Sequence, residues 1–454
     1  MQKFDLIVLG GGRASYLVRN AAKEGKKVAL IEKSSLGGTC ANRGCVPSKL
    51  LIGYADVARA IQEAKRHFID AGIEDIDVAK IFETTNEYIA GVDEEYQEMF
   101  NENVTLFRGE GRFQSNKVIE VNEQQLTAQH IVIATGSRPM QAPHEKAYTS
   151  DDIFPLKKTP KSIAIVGSGF VAVELSNFFA AVGIKTKLFV RSEHLVGNED
   201  KEIQTIFKQE FTKNVDVAFN TTIEDVTYDS KKQHFHLNIK TKDEDTYTQN
   251  YEALLYAIGR KSNADLLCLE NTDIKLDDKG FIKRDAFFQT SVQDVFVVGD
   301  ASGEYMLQHA AAHEVNHLEK YLYENKQEPL VFKYMPHAVF CEPEIASVGL
   351  TQEACEEQNI PFVASSTNWL ASAKAQAMKL EYPLTKFLIN PENFEILGCH
   401  LIGPQSSTII HQVLSVMHID NDIRHLKEML YIHPALSEAL LPAAIDAIKE
   451  VRKY

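Results

Sequence analysis

The sequence predicts an α/β protein with two Rossmann-like βαβ domains and a third, C-terminal α/β domain. Three observations carry this. A glycine turn, Gly10-Gly11-Gly12, joins an apolar run to a helical stretch near the N-terminus. A second turn, Gly167-Ser168-Gly169, does the same in mid-chain. Beyond about residue 335 the pattern becomes apolar strands, such as Ala338-Val339-Phe340 and Lys386-Phe387-Leu388-Ile389, with helical patterns near 407–418 and 422–429.

Composition narrows the class. At 454 residues the chain allows several domains with ample core. Its 44% apolar and 24% charged residues are those of an ordinary globular protein. No apolar run approaches the ~20 residues that span a bilayer. The start, Met1-Gln2-Lys3-Phe4-Asp5, runs straight into a strand without the apolar core of a signal peptide. A net charge of −15 argues against nucleic acid and anionic membranes as partners. Cys268, Cys341, Cys355 and Cys399 are scattered, so neither a secreted disulfide framework nor metal-ligand spacing is expected, and a reducing cytoplasm is.

The first unit runs from Phe4-Asp5-Leu6-Ile7-Val8-Leu9 through the glycine turn and a helix to about Gly25, then through Val28-Ala29-Leu30-Ile31 to Glu32. Gly10 and Gly12 let the backbone approach a pyrophosphate at the helix N-terminus. Glu32, 22 residues after Gly10, is placed to accept hydrogen bonds from ribose hydroxyls. Ser15 replaces the third glycine and is small enough for helix–strand packing. Arg13, inside the loop, is open to two readings, pyrophosphate contact or projection into solvent.

The second unit opens at Ser162-Ile163-Ala164-Ile165-Val166, followed by Gly167-x-Gly169 and a helix carrying Phe170 and Glu174 to about Gly183. Its second strand is read as Lys187-Leu188-Phe189-Val190. From Gly25 to Glu32 is seven residues, and from Gly183 to Val190 is also seven. The ribose-reading acid is therefore absent from the second unit. Arg191 follows at once, in position to pair with a 2′-phosphate, so NADPH is favoured over NADH. Gly197 stands where a second basic residue would be expected, and Glu193 is nearby. A third piece is the apolar strand Val295-Phe296-Val297-Val298 ending in Gly299-Asp300.

The most specific feature is Gly37-Gly38-Thr39-Cys40-Ala41-Asn42-Arg43-Gly44-Cys45-Val46-Pro47-Ser48-Lys49. Four residues separate the cysteines, a spacing that brings both sulfurs within disulfide reach at a helix start. A helix N-terminus favours thiolate over thiol. Pro47 is expected to break the helical hydrogen-bond pattern just beyond Cys45. A redox pair beside a bound dinucleotide implies electron transfer between them.

This stretch, GGTCxNxGCxPSK, resembles the active-site signature of the flavin-dependent pyridine nucleotide–disulfide oxidoreductases, and further motifs carry the resemblance from Phe4 to Glu438. It implies an α/β fold with FAD and NAD(P) domains of the Rossmann type and a C-terminal dimerisation domain. The implied boundaries are 1–148 and 264–334 for the FAD domain, 149–263 for the NAD(P)H domain and 335–454 for dimerisation. It implies one FAD per subunit, held by Gly10, Gly12, Ser15, Glu32, Gly38, Thr39, Thr135, Gly136 and Asp300. The pyridine nucleotide falls to Gly167, Gly169, Phe170, Arg191 and Gly259. Lys49 and Glu174 resemble the family's buried pair beside the flavin, and Phe170 the ring that covers it.

Reducing a disulfide requires a proton for the leaving thiolate, which a histidine supplies at neutral pH. Tyr431-Ile432-His433-Pro434-Ala435-Leu436-Ser437-Glu438 resembles the family's HPxxSE dyad, which faces the partner subunit's cysteines in a homodimer. The implied chemistry passes electrons from NADPH through FAD to Cys40–Cys45. Cys40 then attacks an external small disulfide while His433 protonates the leaving thiol. Stretches 259–267, 305–310 and 432–436 most resemble the mycothione reductase subgroup. Dihydrolipoamide dehydrogenase and glutathione reductase are the alternatives. A flavoprotein delivering electrons to quinones or metal ions is an alternative of another class. His309, His313 and His317 fall at i, i+4 and i+8, but no carboxylate or cysteine completes a metal site, and none is expected.

Overall fold

The structure is a computed structural model and describes residues 1–154, 156 and 158–454. The N-terminal region is β1 (Gln2–Leu9), α1 (Ser15–Lys23) and β2 (Val28–Glu32), followed by α2 (Gly38–Arg43) and α3 (Cys45–Gln62). Then come α4 (Val92–Glu98), β3 (Val104–Arg108) and β4 (Gln124–Ile133). Strands β3, β2, β1 and β4 lie side by side and parallel. Leu6, Ile7 and Val8 are wholly buried, as a strand covered on both faces requires.

A second parallel sheet follows, from β5 (Ser162–Val166), α5 (Phe170–Ala181), β6 (Lys185–Phe189), α6 (Lys201–Phe211), β7 (Asp216–Ala218) and β8 (Ala253–Tyr256). Its order is β7-β6-β5-β8. Strand β6 ends at Phe189, one residue earlier than the sequence suggests, while the Val190 N–H still donates to the Ala218 carbonyl and its carbonyl accepts the Thr221 N–H. A three-stranded antiparallel meander over 221–251 packs Phe235, Leu237 and Ile239 against Ala164 and Leu254. The remaining face is covered by α5 and by Leu51 and Ala55 of α3.

The chain then returns. Strand β9 (Val295–Val297) docks parallel on β4, pairing Val295 with Ile131 and Val297 with Ile133, and α7 (Gln308–Tyr323) follows. The C-terminal sheet is antiparallel: β10 (His337–Val339), β11 (Ile345–Gly349), β12 (Val363–Asn368), β13 (Leu384–Ile389) and β14 (Ile396–Ile402), in the order β10-β11-β14-β13-β12. Helices α8 (Ser406–Ile419) and α9 (Leu440–Val451) close its core through Ile410, Val413, Leu440 and Ala444. The helix expected over 422–429 is only Arg424–Glu428. Asp422 lies outside it and accepts the Arg424 N–H, a local capping bond that competes with helix. None of the described helices is long and apolar enough to cross a membrane.

Candidate active site

The two glycine turns are built alike. Leu9 pairs with Ile31 and Val166 with Phe189, so each glycine turn leaves its first strand level with the end of its second. The Gly10 N–H donates to the Ile31 carbonyl at 2.8 Å and the Gly167 N–H to the Phe189 carbonyl at 3.1 Å. Gly10 has φ +110°, and a Cβ there would lie 2.3 Å from the Ala134 oxygen, so the position admits only glycine. In this register Val190 is the structural counterpart of Glu32.

Around the first turn, Glu32 Oε2 accepts the Gly11 N–H at 2.7 Å and Oε1 accepts the Ser34 N–H at 2.7 Å. Ser15, the substitute for the third glycine, is fully buried and donates to the Gly11 carbonyl at 2.9 Å, so it stiffens the turn. Arg13 lies with its guanidinium over the Tyr16 ring at 4.1 Å, its buried Nε without a hydrogen-bond partner. Asp300, in the tight turn after β9, accepts the Ser137 hydroxyl at 2.5 Å. Glu314 of α7 fixes that turn by accepting the Gly299 N–H at 2.6 Å, its other oxygen held by Arg284 at 2.7 Å.

Several buried polar atoms here have no hydrogen-bond partner: Arg13 Nε, Thr135 Oγ1, and Arg43 Nε and Asp151 Oδ1, which are held only in long ion pairs. Helix α1 has no side-chain cap, and its Ser15 and Tyr16 N–H groups bond back to the Gly12 and Arg13 carbonyls at 3.0 and 3.2 Å. Buried polar groups are normally satisfied. Orphans beside a glycine turn and an uncapped helix therefore fit a bound dinucleotide.

Helix α2 touches this crevice. A Cβ on Gly38, at φ +62°, would lie 2.9 Å from the Gly12 Cα, so the signature's glycine permits backbone contact between the turn and α2. Cys40 sits on α2, and Cys45 is the first residue of α3. The helical break is at Gly44, whose φ −131° and ψ −112° lie outside the helical basin. It is not at Pro47, as expected from sequence. Pro47 occupies the first turn of α3, where the missing N–H costs nothing.

The two cysteines are free thiols that face each other. The hydrogen bond from Cys40, with Lys49 nearby, overcomes burial and lowers the Cys45 thiol to about 7. That same hydrogen bond, and then burial, raise Cys40. The surroundings thus favour the thiolate at Cys45 over Cys40.

One turn along α3, Lys49 Nζ meets Glu174 Oε2 of α5 at 2.8 Å. Burial pushes the Glu174 carboxyl up, while Lys49 and the Phe340 N–H, donating at 2.9 Å, pull it back. Lys49 also lies over the Phe340 ring at 4.6 Å. Phe170, first on α5, is 48% exposed and free to cover a neighbouring ring. Gly169 precedes it as the helix cap. Gly136 and Gly259 both have positive φ at the crossings between sheets. Thr135, Gly136 and Gly259 are tied there by bonds from Asn263 and Met140. Arg191 is exposed in the loop after β6, and Lys208 Nζ donates to the Glu193 carbonyl in the same loop at 2.8 Å.

At the other end of the chain, His433 Nδ1 meets Glu438 Oε1 at 2.8 Å, and Glu438 Oε2 accepts the Ala435 N–H at 2.9 Å. The His433 bond, then the Ala435 bond, hold the Glu438 carboxyl below its usual range. A carboxylate only accepts, so Nδ1 carries the proton and Nε2 is free to exchange one. The His433 side chain is 74% exposed, and apolar Leu430 and Ile432 beside it are 100% and 80% exposed.

The α7 histidines diverge. His309 and His317 turn Nε2 to the Pro336 and Glu328 carbonyls at 2.9 and 2.8 Å, and His313 packs on Phe332. Sequence reasoning missed Ser137, Asp151, Glu314 and the Phe340 amide. Ser137 follows directly on Thr135 and Gly136, but nothing local marks it as a partner of Asp300.

Comparison with known proteins gives two matches to domain patterns. "Pyridine nucleotide-disulphide oxidoreductase" covers residues 4–314, and its "dimerisation domain" covers residues 335–444. Dihydrolipoyl dehydrogenase of Chlamydia pneumoniae is 29% identical, over 98% of this chain and 97% of its own. Mycothione reductase of Mycobacterium tuberculosis is 30% identical, over 97% and 98%. A solved copper(II) complex of RclA, a HOCl-induced flavoprotein disulfide reductase of Escherichia coli, shares the fold. Its TM-score is 0.87 at 22% identity, over 98% of this chain and 99% of that one.

Proposed function

The chain belongs to the pyridine nucleotide-disulphide oxidoreductase family, and within it we propose an NADPH-dependent reductase of a low-molecular-weight disulfide, acting as a cytoplasmic homodimer. The observation that carries the proposal is the facing Cys40–Cys45 pair at the junction of α2 and α3, set between the first glycine turn and the Lys49–Glu174 ion pair.

The family binds FAD, and Gly10, Gly12, Ser15, Glu32, Gly38, Thr39, Thr135, Gly136 and Asp300 are the residues suited to hold it; when bound, it relays electrons from the nicotinamide to the dithiol. Lys49 supplies positive charge beside Cys45 and stabilises its thiolate, and Glu174 balances Lys49 in the buried setting. Cys40 keeps its proton until His433 Nε2 of the partner subunit removes it. Its sulfur then attacks the substrate disulfide, one S–S bond breaks, and a mixed disulfide remains on Cys40. The imidazolium gives the proton to the departing thiolate, with Glu438 holding the ring. Cys45 thiolate attacks Cys40, restores the internal disulfide and expels the second thiolate, which takes the other proton. The sum is RSSR + NADPH + H⁺ → 2 RSH + NADP⁺. The exposed apolar flank of His433 and the dimerisation domain support assembly across a two-fold axis.

Val190 and Arg191 support NADPH: the apolar residue stands level with Glu32, so no acid meets a free 2′-hydroxyl, and a cation follows. Arg191→Glu is expected to raise the NADPH KM about ten- to a hundred-fold, the loss of one charge-assisted contact, while the NADH KM moves little. Equal shifts for both nucleotides count against the reading. Substrate class is tested by nucleotide oxidation with glutathione disulfide, mycothione, bacillithiol disulfide, coenzyme A disulfide and lipoamide. Turnover of a small disulfide with NADPH is expected. Turnover confined to lipoamide and NADH would make the protein a dihydrolipoamide dehydrogenase, and turnover only with quinone or metal ion would remove the dithiol from the reaction.

A further inference from the structure

The loop after β6, residues 191–198, begins at Arg191 and leads into Glu199 and Asp200, the latter the N-cap of α6. In a βαβ dinucleotide unit this loop meets the adenosine ribose. Beside the bonds from Lys208 to the Glu193 carbonyl and from Gln204 to the Gly197 carbonyl, it is held at three places. The Ser192 carbonyl accepts the Asn220 N–H at 3.0 Å. The Val196 N–H donates to the carbonyl of Ser168, inside the glycine turn, at 2.7 Å. The third place is the C-terminal sheet. Glu199 Oε1 meets His337 Nε2 of β10 at 2.7 Å, and Oε2 accepts the Ser347 hydroxyl of β11 at 2.6 Å. Asp200 Oδ1 meets Lys386 Nζ of β13 at 2.9 Å, and Oδ2 accepts the Gln352 N–H at 3.1 Å.

This grip is buried. The side chains of Glu199, Asp200 and Lys386 are only 3%, 0% and 5% exposed. Behind them, His400 Nδ1 lies 3.1 Å from the Ser347 hydroxyl, and Glu202 lies 3.4 Å from Lys386. Desolvating that many charged groups is costly unless each is paired, and an apolar contact would join the domains as well. What the ionic grip adds is direction. The loop needs it, because Val196, β-branched and 5% exposed, stands at φ +46°. A β-branched residue in the left-handed region persists only where its surroundings over-determine it.

We propose that Glu199 and Asp200 are positioning residues for pyridine nucleotide binding: the C-terminal sheet grips them through His337, Ser347 and Lys386, and so holds loop 191–198 in the strained shape that receives the adenosine end. This rests on the reading of the second glycine unit as the pyridine nucleotide site.

The test is Ser347→Ala in the FAD-loaded protein, which removes one hydrogen bond to Glu199 and no charge. The probes are 2′,5′-ADP and 5′-ADP, which carry the adenosine end alone, measured by calorimetry beside the NADPH and NADH KM values. The expected result is a Kd and KM about three- to ten-fold higher for the nucleotide in use, the size of one ordinary hydrogen bond. FAD content and the rate at saturating nucleotide stay unchanged. The Arg191→Glu effect also shrinks in the Ser347→Ala background, because contacts that share a loop are not additive. His337→Ala, which removes the other grip on Glu199, should act in the same direction. Unchanged Kd and KM in both variants would overturn the proposal, as would a loss of FAD or of saturating rate with KM unmoved, which marks a merely structural contact. Should Arg191→Glu do nothing in the otherwise native protein while Ser347→Ala weakens binding, the 2′-phosphate reading fails and the positioning role stands.

Discussion

Cys40→Ser is expected to abolish disulfide reduction while NADPH still reduces the protein once. The proposed mechanism separates the two jobs. Its low-titrating sulfur is Cys45 beside Lys49, and Cys40 is the one assigned to attack substrate after losing its proton. Serine keeps a hydroxyl donor toward Cys45, so the Cys45 thiolate survives, but a hydroxyl does not carry the mixed disulfide. Stopped-flow reduction by NADPH should therefore remain near native, and thiol release from any disulfide should fall to background. Retained thiol release would mean that substrate is attacked by some other sulfur.

His433→Ala is expected to cost about 10²–10⁴-fold in disulfide turnover, the usual contribution of a positioned acid–base group. Reduction by NADPH, which needs no proton from that side, should be nearly unaffected. The Glu438 bond leaves His433 Nε2 as the free nitrogen, and the exposed apolar residues around it fit the proposed subunit interface. Mixed dimers test the geometry. In a Cys40→Ser/His433→Ala heterodimer both lesions fall in one composite site, and the other site is native. Activity should return toward half the native value once subunits exchange. Inactive mixtures despite demonstrated exchange would place Cys40 and His433 of one chain in the same site.

The parts of this site that are legible in sequence are those whose chemistry allows few residue types. A turn at φ +110° with no room for a Cβ writes Gly10, and the register of two like βαβ units lets Val190 be read against Glu32. The dyad and the cysteine pair are legible for the same reason. What the sequence hides is contact between distant segments. Ser137 and Asp300 lie 163 residues apart, and Glu199 and Ser347 lie 148 apart, with no local pattern linking them. The stacking of Arg13 on Tyr16, three residues on, likewise had no signal in the sequence. Pro47 misled for a related reason: a proline breaks a helix only from its interior, and Gly44 had already ended α2.

The central claim is that Cys45 is a thiolate in electronic contact with the bound flavin and linked to Cys40. It is tested most directly by anaerobic two-electron reduction with NADPH, followed by a pH titration of the long-wavelength absorbance. The account predicts a thiolate–flavin charge-transfer band, absent in Cys45→Ser. A lowered thiol pKa means that the band is full above, and fades on acidification through, a midpoint near the Cys45 value of about 7. No band, a band unchanged in Cys45→Ser, or a midpoint at the ordinary thiol value of 9.0 would contradict it.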